Sequence, residues 1–339
     1  MNPSLPSLLA CWLDQGRRVA AASIVEVSGS TPHGEGLVML VNDHGDIAGA
    51  ISGGCLDGAV AVACEKTLHE KQPGSEIFGA SEGVWGAPGL TCGGSVRVWT
   101  YELPPDIGRR LAAAEGGQLT FTLEGSLETG PAAIRLEDSP SGDERTILSI
   151  GPQGRASFRE QIGHRDLILL VGRSGFTEAL IRCGRLLGCE VMVNEPRPRF
   201  AESLVGPETV VRSWPDACLR DLVAAGRLTE RSAVIVCTHD PKFDEPALLA
   251  AVRSPAGFIG AMGSRRTVED RRMRLAGLGL SPTELDRIRS PLGLDLGGTT
   301  PAETAISVFA EWIAFRHGGS ARPLTEGRGS IHGAIPPRK

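Results

Sequence analysis

The spacing of apolar positions changes character near residue 166: short strand-like runs dominate before it, and strands alternate with helices after it. Leu5 to Asp14 reads as a short helix, and "RVAAASIVEV" is a mainly apolar strand that ends at the glycine-rich "SGSTPHGEG". "LVMLVNDHGDIAGAI" predicts two strands joined by a turn at Asn42 to Gly45. After "SGG", the residues Leu56, Val60, Ala63, Cys64 and Thr67 recur at spacings of three and four, which predicts a helix starting near Cys55. Strands are expected at Ser75 to Ala80 and Ser95 to Leu103, with the irregular "SEGVWGAPGLTCGG" between them. Three later runs, "QLTFTLEG", "AAIRLED" and "RTILSI", complete a largely β first domain, and polar, glycine-bearing sequence around 151 to 165 reads as a linker.

From Asp166 the pattern is βαβ. "LILLVG" is a continuous apolar run of the kind buried on both faces of a parallel sheet, "FTEALIRCGRLLG" is helical, and "CEVMVNE" and "SAVIVCTHD" are further strands. "AGFIGAMGS" adds a strand and turn, "RRTVEDRRMRLAGLG" a charged helix, and "PAETAISVFAEWIAFRHG" a long final helix, with Thr300, Pro301 and Glu303 placed as a capping box. The expected class is α/β: a mainly β (α+β) N-terminal domain at 1–155, a Rossmann-like doubly wound parallel-sheet domain at 156–318, and a mobile tail at 319–339.

Composition narrows the partners. With 41% hydrophobic and 22% charged residues the chain can bury full cores, and a net charge of −5 without basic runs argues against nucleic acid or an anionic membrane surface. The N-terminus lacks a secretory pattern and no stretch approaches the ~20 apolar residues of a membrane span, so a cytoplasmic protein is expected. There is no CxxC among the eight cysteines, which in a reducing compartment are free thiols.

Candidate chemistry collects at glycine-rich turns. Gly172 and Gly175 lie where the first parallel strand meets its helix, and Glu195, 23 residues after Gly172, lies where an acidic residue would meet a ribose hydroxyl. The pattern is G-x-x-G, with Ser174 in place of the glycine that admits a pyrophosphate, so dinucleotide binding and a purely structural turn both stay open. His239, Asp240 and Asp244 follow a strand at the ligand-gathering end of the sheet, where His239 could move a proton or ligate a metal and Asp240 could simply cap a helix. Gly263, Ser264 and Arg265 form another strand-to-helix junction suited to phosphate or carboxylate, whereas Arg266 and the arginines after it read as solvated. In the first domain Gly53 and Gly54 precede Cys55, and Cys92 precedes two further glycines. A thiol at a helix N-terminus is more readily ionised, and glycine neighbours let a bulky partner reach it. Cys11, Cys64, Cys183, Cys189, Cys218 and Cys237 read as inert small hydrophobes.

"GSTPHGEGLVML", "GAISGGCLDGAV" and "TCGGSVRV", followed in order by "LLVGRSGFTEAL", "VNEPRPRFA", "CTHDPKFDEPALLAA", "FIGAMGSRR" and "PLGLDLGGTTPAETAISVFAEWIA", resemble the XdhC/CoxI family of accessory factors. The resemblance implies a dimeric protein that binds molybdenum cofactor (molybdopterin), assists its sulfuration with a cysteine desulfurase as sulfur donor, and inserts it into a xanthine dehydrogenase-type molybdenum hydroxylase. It points to Cys55 and Cys92 as contacts of molybdenum or sulfur, and to Gly172, Glu195, His239, Asp240, Gly263, Ser264 and Arg265 around a Rossmann cleft that could also take a nucleotide. Ser174 in place of the family's second glycine, and Glu195 in place of its aspartate, put the family's mode of binding the nucleotide end in question. The alternatives are an NAD(P)-dependent oxidoreductase built on the Rossmann half and a metal-binding assembly scaffold.

Overall fold

The computed structural model describes residues 5–29, 31, 34–54, 56–79, 94–113, 119–138, 147–152, 155–162, 165–204 and 209–326. They form two compact units, the second beginning at Arg165.

The first unit runs α1 (Leu5–Asp14), β1 (Val19–Ser28), β2 (Val38–Asn42), β3 (Ile47–Ala48), α2 (Asp57–Glu70), β4 (Gly74–Gly79), β5 (Ser95–Glu102), α3 (Pro105–Ala112), β6 (Leu119–Ser126), β7 (Gly130–Asp138), β8 (Ile147–Ile150) and β9 (Arg155–Ile162). Its strands make two antiparallel sheets, ordered β3-β2-β1-β5-β4 and β7-β6-β9-β8. Alternation along β1 serves two cores. Ala20, Ala22 and Ile24 pack with Leu56, Val60 and Cys64 of the α2 segment. Val19, Ala21 and Val25 share a second core with Trp12 of α1, Trp99 of β5 and Phe121 and Phe158 of the other sheet. Each fully buried Val, Ile, Leu or Phe side chain among these contributes roughly 1.5–3 kcal/mol.

The stretch expected to be a linker instead carries β9, paired along its length with β6. Ala156 and Phe158 point inward as strand alternation requires, but the next inward position is Glu160, and that charge conceals the strand from a hydrophobicity pattern. Glu160 lines a cavity of about 310 Å³ with Leu9, Leu40, Tyr101 and Phe121. Its Oε2 is buried without a hydrogen-bond partner among the described residues, and burial pushes the carboxyl up to about 7. Because the unfolded value is near 4.3, the native state holds the proton more tightly, so this contribution to stability is complete below about pH 4 and is lost as pH rises to about 7. The expected loss is on the order of 3 kcal/mol. Denaturant unfolding of the wild type and Glu160→Gln at pH 5 and pH 8 checks it: only the wild type should weaken, and an equal drop in both would clear Glu160.

The second unit runs β10 (Leu167–Val171), α4 (Thr177–Leu186), β11 (Glu190–Asn194), α5 (Pro198–Glu202), β12 (Thr209–Val211), α6 (Pro215–Ala224), β13 (Ala233–Val236), α7 (Pro241–Val252), β14 (Phe258–Ala261), α8 (Arg265–Gly277), α9 (Pro282–Asp286), β15 (Ile288–Arg289) and α10 (Pro301–His317). All six strands are parallel, in the order β12-β11-β10-β13-β14-β15. Counted within the unit this is 3-2-1-4-5-6, the doubly wound dinucleotide-fold order, and it reverses between β10 and β13. Leu167, Leu169 and Val171 face α6, α7 and α8 through Leu219, Leu248 and Leu275. Ile168 and Leu170 face α4 and α10 through Leu180, Val308 and Phe309. The expected capping box opens α10: Thr300 accepts from the Glu303 amide at 3.2 Å, and Glu303 accepts from the Thr300 amide at 2.9 Å. Among the described residues no helix is long and apolar enough to cross a membrane.

Candidate functional site

Cys55 and Cys92 lie outside the described residues, but the chain on either side of Cys55 is described. Asp57, the first residue of α2, folds the preceding loop back on itself. Its Oδ1 accepts from the Ile51 amide at 2.9 Å, the Ser52 amide at 2.8 Å and the Ser52 hydroxyl at 3.1 Å. Partial burial alone would raise this carboxyl, yet the Ser52, Ile51 and Gly54 backbone bonds and the Ser52 hydroxyl hold it below its ordinary value. The Ser52 hydroxyl also accepts from the Leu56 amide at 2.6 Å. Gly53 and Gly54 cross the left-handed region at φ 71° and 124°, and a side chain built on either would meet no atom of the described residues within 4 Å. The loop is therefore tethered at its base, and no described residue packs over its glycines.

Four other cysteines are buried. Burial pushes the Cys64 and Cys237 thiols up to about 12 and those of Cys189 and Cys218 to about 11, so they stay protonated at neutral pH. Cys183, half-buried, is also raised by burial. Cys11, expected to be an inert small hydrophobe, is exposed and accepts from the Gln15 side chain at 3.3 Å.

In the second unit the predicted residues gather at the carboxyl ends of the strands. Gly172 follows β10 at φ 88°, and a Cβ there would stand 1.7 Å from the Thr238 Cγ2 that follows β13. The turn after it satisfies its own donors. The Gly172 amide bonds the Asn194 carbonyl at 2.8 Å, the Arg173 amide bonds Glu195 Oε2 at 2.7 Å, and the Ser174 amide bonds Thr177 Oγ1 at 2.8 Å. Ser174 Oγ accepts from the Phe176 amide at 3.3 Å, so the serine in the glycine's place closes the turn internally. A Cβ on Gly175 would meet no atom of the described residues within 4 Å.

Glu195 is fully buried and accepts four bonds: from the Arg173 amide, from the Arg197 amide at 3.0 Å, and from Arg197 Nε and Nη2 at 2.7 Å each. Against the penalty of burial, the Arg197 guanidinium and these amides hold its carboxylate below the ordinary value. Its acceptor capacity is spent, so the role of ribose acceptor expected of it is blocked while Arg197 stays in place.

His239 is exposed after β13, and Asp240 caps α7 by accepting from the Lys242 amide at 3.2 Å. Ser264 caps α8, accepting from the Thr267 amide at 3.3 Å, with Gly263 just before it and Arg265 exposed as the first helical residue. Asp244 is 2% exposed, its Oδ2 meeting Arg271 Nη2 at 3.0 Å while its Oδ1 accepts the Thr238 hydroxyl. Arg271, expected to be solvated, is itself 2% exposed and donates further to the Met262 carbonyl at 2.9 Å and Ser290 Oγ at 3.2 Å. Nothing in the spacing of residues 244 and 271 signals that pairing. Among the described residues no group of three or more His, Cys, Asp or Glu could hold a metal ion.

Residues 168–312 match the XdhC Rossmann domain, and residues 12–79 match the XdhC and CoxI family. The chain belongs to the XdhC/CoxI family. Over 309 residues it is 23% identical to the molybdenum cofactor insertion chaperone PaoD of Escherichia coli (strain K12), a match covering 90% of this chain and 85% of that one. Over 337 residues it is 24% identical to a probable xanthine dehydrogenase subunit of Bacillus subtilis (strain 168), covering 91% of this chain and 97% of that one. A crystal structure described as a xanthine dehydrogenase from Bacillus halodurans shares the fold, with a TM-score of 0.70 at 20% identity over 96% of this chain and 99% of the other. The XdhC/CoxI match at 12–79 takes in the Asp57-tethered loop, and the XdhC Rossmann match takes in every candidate residue from Gly172 to Arg265.

Proposed function

We propose that this XdhC/CoxI chain is an accessory factor that binds molybdenum cofactor as cargo, assists replacement of an oxo ligand on molybdenum by sulfido, and delivers the cofactor to a xanthine dehydrogenase-type hydroxylase. It acts in the cytoplasm as a homodimer, with a cysteine desulfurase as sulfur donor. The observation that carries this reading is the match across most of its length to an insertion chaperone, joined to an Asp57-tethered glycine loop beside Cys55 that no described residue covers. Molybdenum and sulfur are soft, so thiolates suit them, and a thiol next to a helix N-terminus ionises more readily. In the N-terminal unit we assign Gly53, Gly54, Cys55 and Cys92 to the metal or its sulfur. In the C-terminal unit we assign Gly172, Ser174, Gly175, Glu195, His239, Asp240, Gly263, Ser264 and Arg265 to shaping a cleft for a phosphate-bearing ligand.

Titrating the purified protein with molybdenum cofactor, followed by tryptophan quenching, tests the thiol assignment. Cys55→Ala or Cys92→Ala is expected to weaken binding more than about tenfold, the scale on which changes at a metal's surroundings act. Wild-type affinity in both variants would remove the thiol assignment.

The sheet order favours a second reading, an NAD(P)-dependent oxidoreductase. Incubation with NADH or NADPH and common carbonyl acceptors, followed by the absorbance of the reduced nicotinamide as a readout of hydride transfer, decides it: turnover would favour the oxidoreductase, and a flat trace the chaperone.

A further inference from the structure

We infer that the C-terminal unit carries an anion site made of arginine side chains, centred on Arg197, which selects a ligand bearing a phosphomonoester on its ribose over one with a free ribose diol. The inference goes beyond the chaperone reading and does not depend on it.

Three observations converge. The acidic residue at the end of β11 normally takes the ribose hydroxyls in this fold, but Glu195 has no exposed surface and four bonds already made. A diol could reach it only by expelling Arg197. The turn after β10 offers little in its place, because the amides of Gly172, Arg173, Ser174 and Phe176 are all bonded within the fold. Beside that turn, two guanidiniums reach solvent. The Arg197 side chain is 32% exposed, its Cζ lying 4.1 Å from the centre of the Phe200 ring and 5.6 Å from that of Phe243. Arg173, 33% exposed, has a buried Nε with no hydrogen-bond partner among the described residues and a distant contact to Glu178 at 3.8 Å.

Glu195 acts here as a positioning residue: its two bonds to Nε and Nη2 orient the guanidinium plane, and the rings of Phe200 and Phe243 flank it. Neither bond uses Nη1. Each neighbouring acid faces a cation of its own, Asp240 meeting Lys242 at 3.1 Å and Glu178 lying 3.8 Å from Arg173, and Arg197 is the oriented cation an incoming dianion would meet at the ribose position. A planar, oriented guanidinium suits a phosphate, and an arginine near this position is the general means by which a dinucleotide fold accommodates a 2′-phosphate.

Calorimetric titration of the full-length protein with adenosine 2′,5′-bisphosphate and with 5′-AMP, which differ only in the 2′-phosphate, tests the site. The bisphosphate is expected to bind the wild type at least about tenfold more tightly, the ratio one charge-assisted hydrogen bond provides. In Arg197→Gln the preference should fall to within about twofold, and Arg197→Lys, which keeps the charge without the planar fork, should lie between. Equal affinity for the two probes in the wild type, or no saturation by the bisphosphate at about 1 mM, overturns the inference whether or not the variants fold. A tenfold preference that survives in folded Arg197→Gln overturns the assignment to Arg197.

Discussion

Replacing Asp244 by alanine is expected to destabilise the C-terminal unit by about 3–5 kcal/mol, because it strands the Arg271 guanidinium in the protein interior. Both residues are 2% exposed, and among the described residues no other carboxylate bonds Arg271. The pair joins α7 to α8, and through Met262 and Ser290 it also holds the carboxyl ends of β14 and β15, since Ser290 Oγ donates to the Ala261 carbonyl at 2.8 Å. The same carboxylate receives the Thr238 hydroxyl, and Thr238 is the residue that crowds Gly172, so the loss should reach the turn as well. For a unit of this size the melting temperature should fall by roughly 6–20 °C. Differential scanning calorimetry of the variant beside the wild type measures it. A double variant, Asp244→Leu with Arg271→Met, should lose less than Asp244→Ala alone, because no buried charge is left unpaired. A single variant within about 1 kcal/mol of wild type would mean that water reaches Arg271.

Gly172→Ala is expected to cost about 2–5 kcal/mol through two separable effects. A non-glycine residue at φ 88° is strained by about 1–2 kcal/mol. The new methyl must also displace Thr238 Cγ2, which stands 1.7 Å from its place, and overpacking of this kind costs about 1–3 kcal/mol. Thr238→Ser removes that Cγ2 while keeping the hydroxyl that bonds Asp244, so a double-mutant cycle in denaturant separates the steric share from the backbone share. Gly172→Ala in the Thr238→Ser background should recover about 1 kcal/mol or more. No recovery would assign the whole loss to the backbone.

The two halves of the chain differ in how far local pattern reveals them. "LILLVG" and "SAVIVC" show themselves as parallel strands because helices cover both faces, leaving no polar alternation to confuse with a surface strand. The α10 capping box is equally local, since its partners lie three residues apart. The strand β9 is hidden by Glu160 on its inward face, α3 by its brevity, and β12 by a length of three residues. At the candidate site the positions of Gly172 and Glu195 follow from spacing alone, and their surroundings do not. Ser174 reads in sequence as a missing glycine, and in the fold it is the residue that closes the turn. Glu195 reads as a ligand acceptor, and in the fold it is the anchor of Arg197.

The order of elements, the parallel character of the second sheet, the glycine turns and the family to which they belong are legible in the amino-acid string. Each of these rests on residues within about one turn or one strand of each other, or on their order along the chain. Which charged groups are spent and which are available emerges only on folding: Asp244 belongs to Arg271, 27 residues away on another helix; Glu195 has no surface left to offer; and Glu160 sits in an apolar wall without a partner for its Oε2 among the described residues. Availability depends on burial and on hydrogen-bond partners brought together from distant parts of the chain, and neither quantity is a property of a residue's neighbours in sequence.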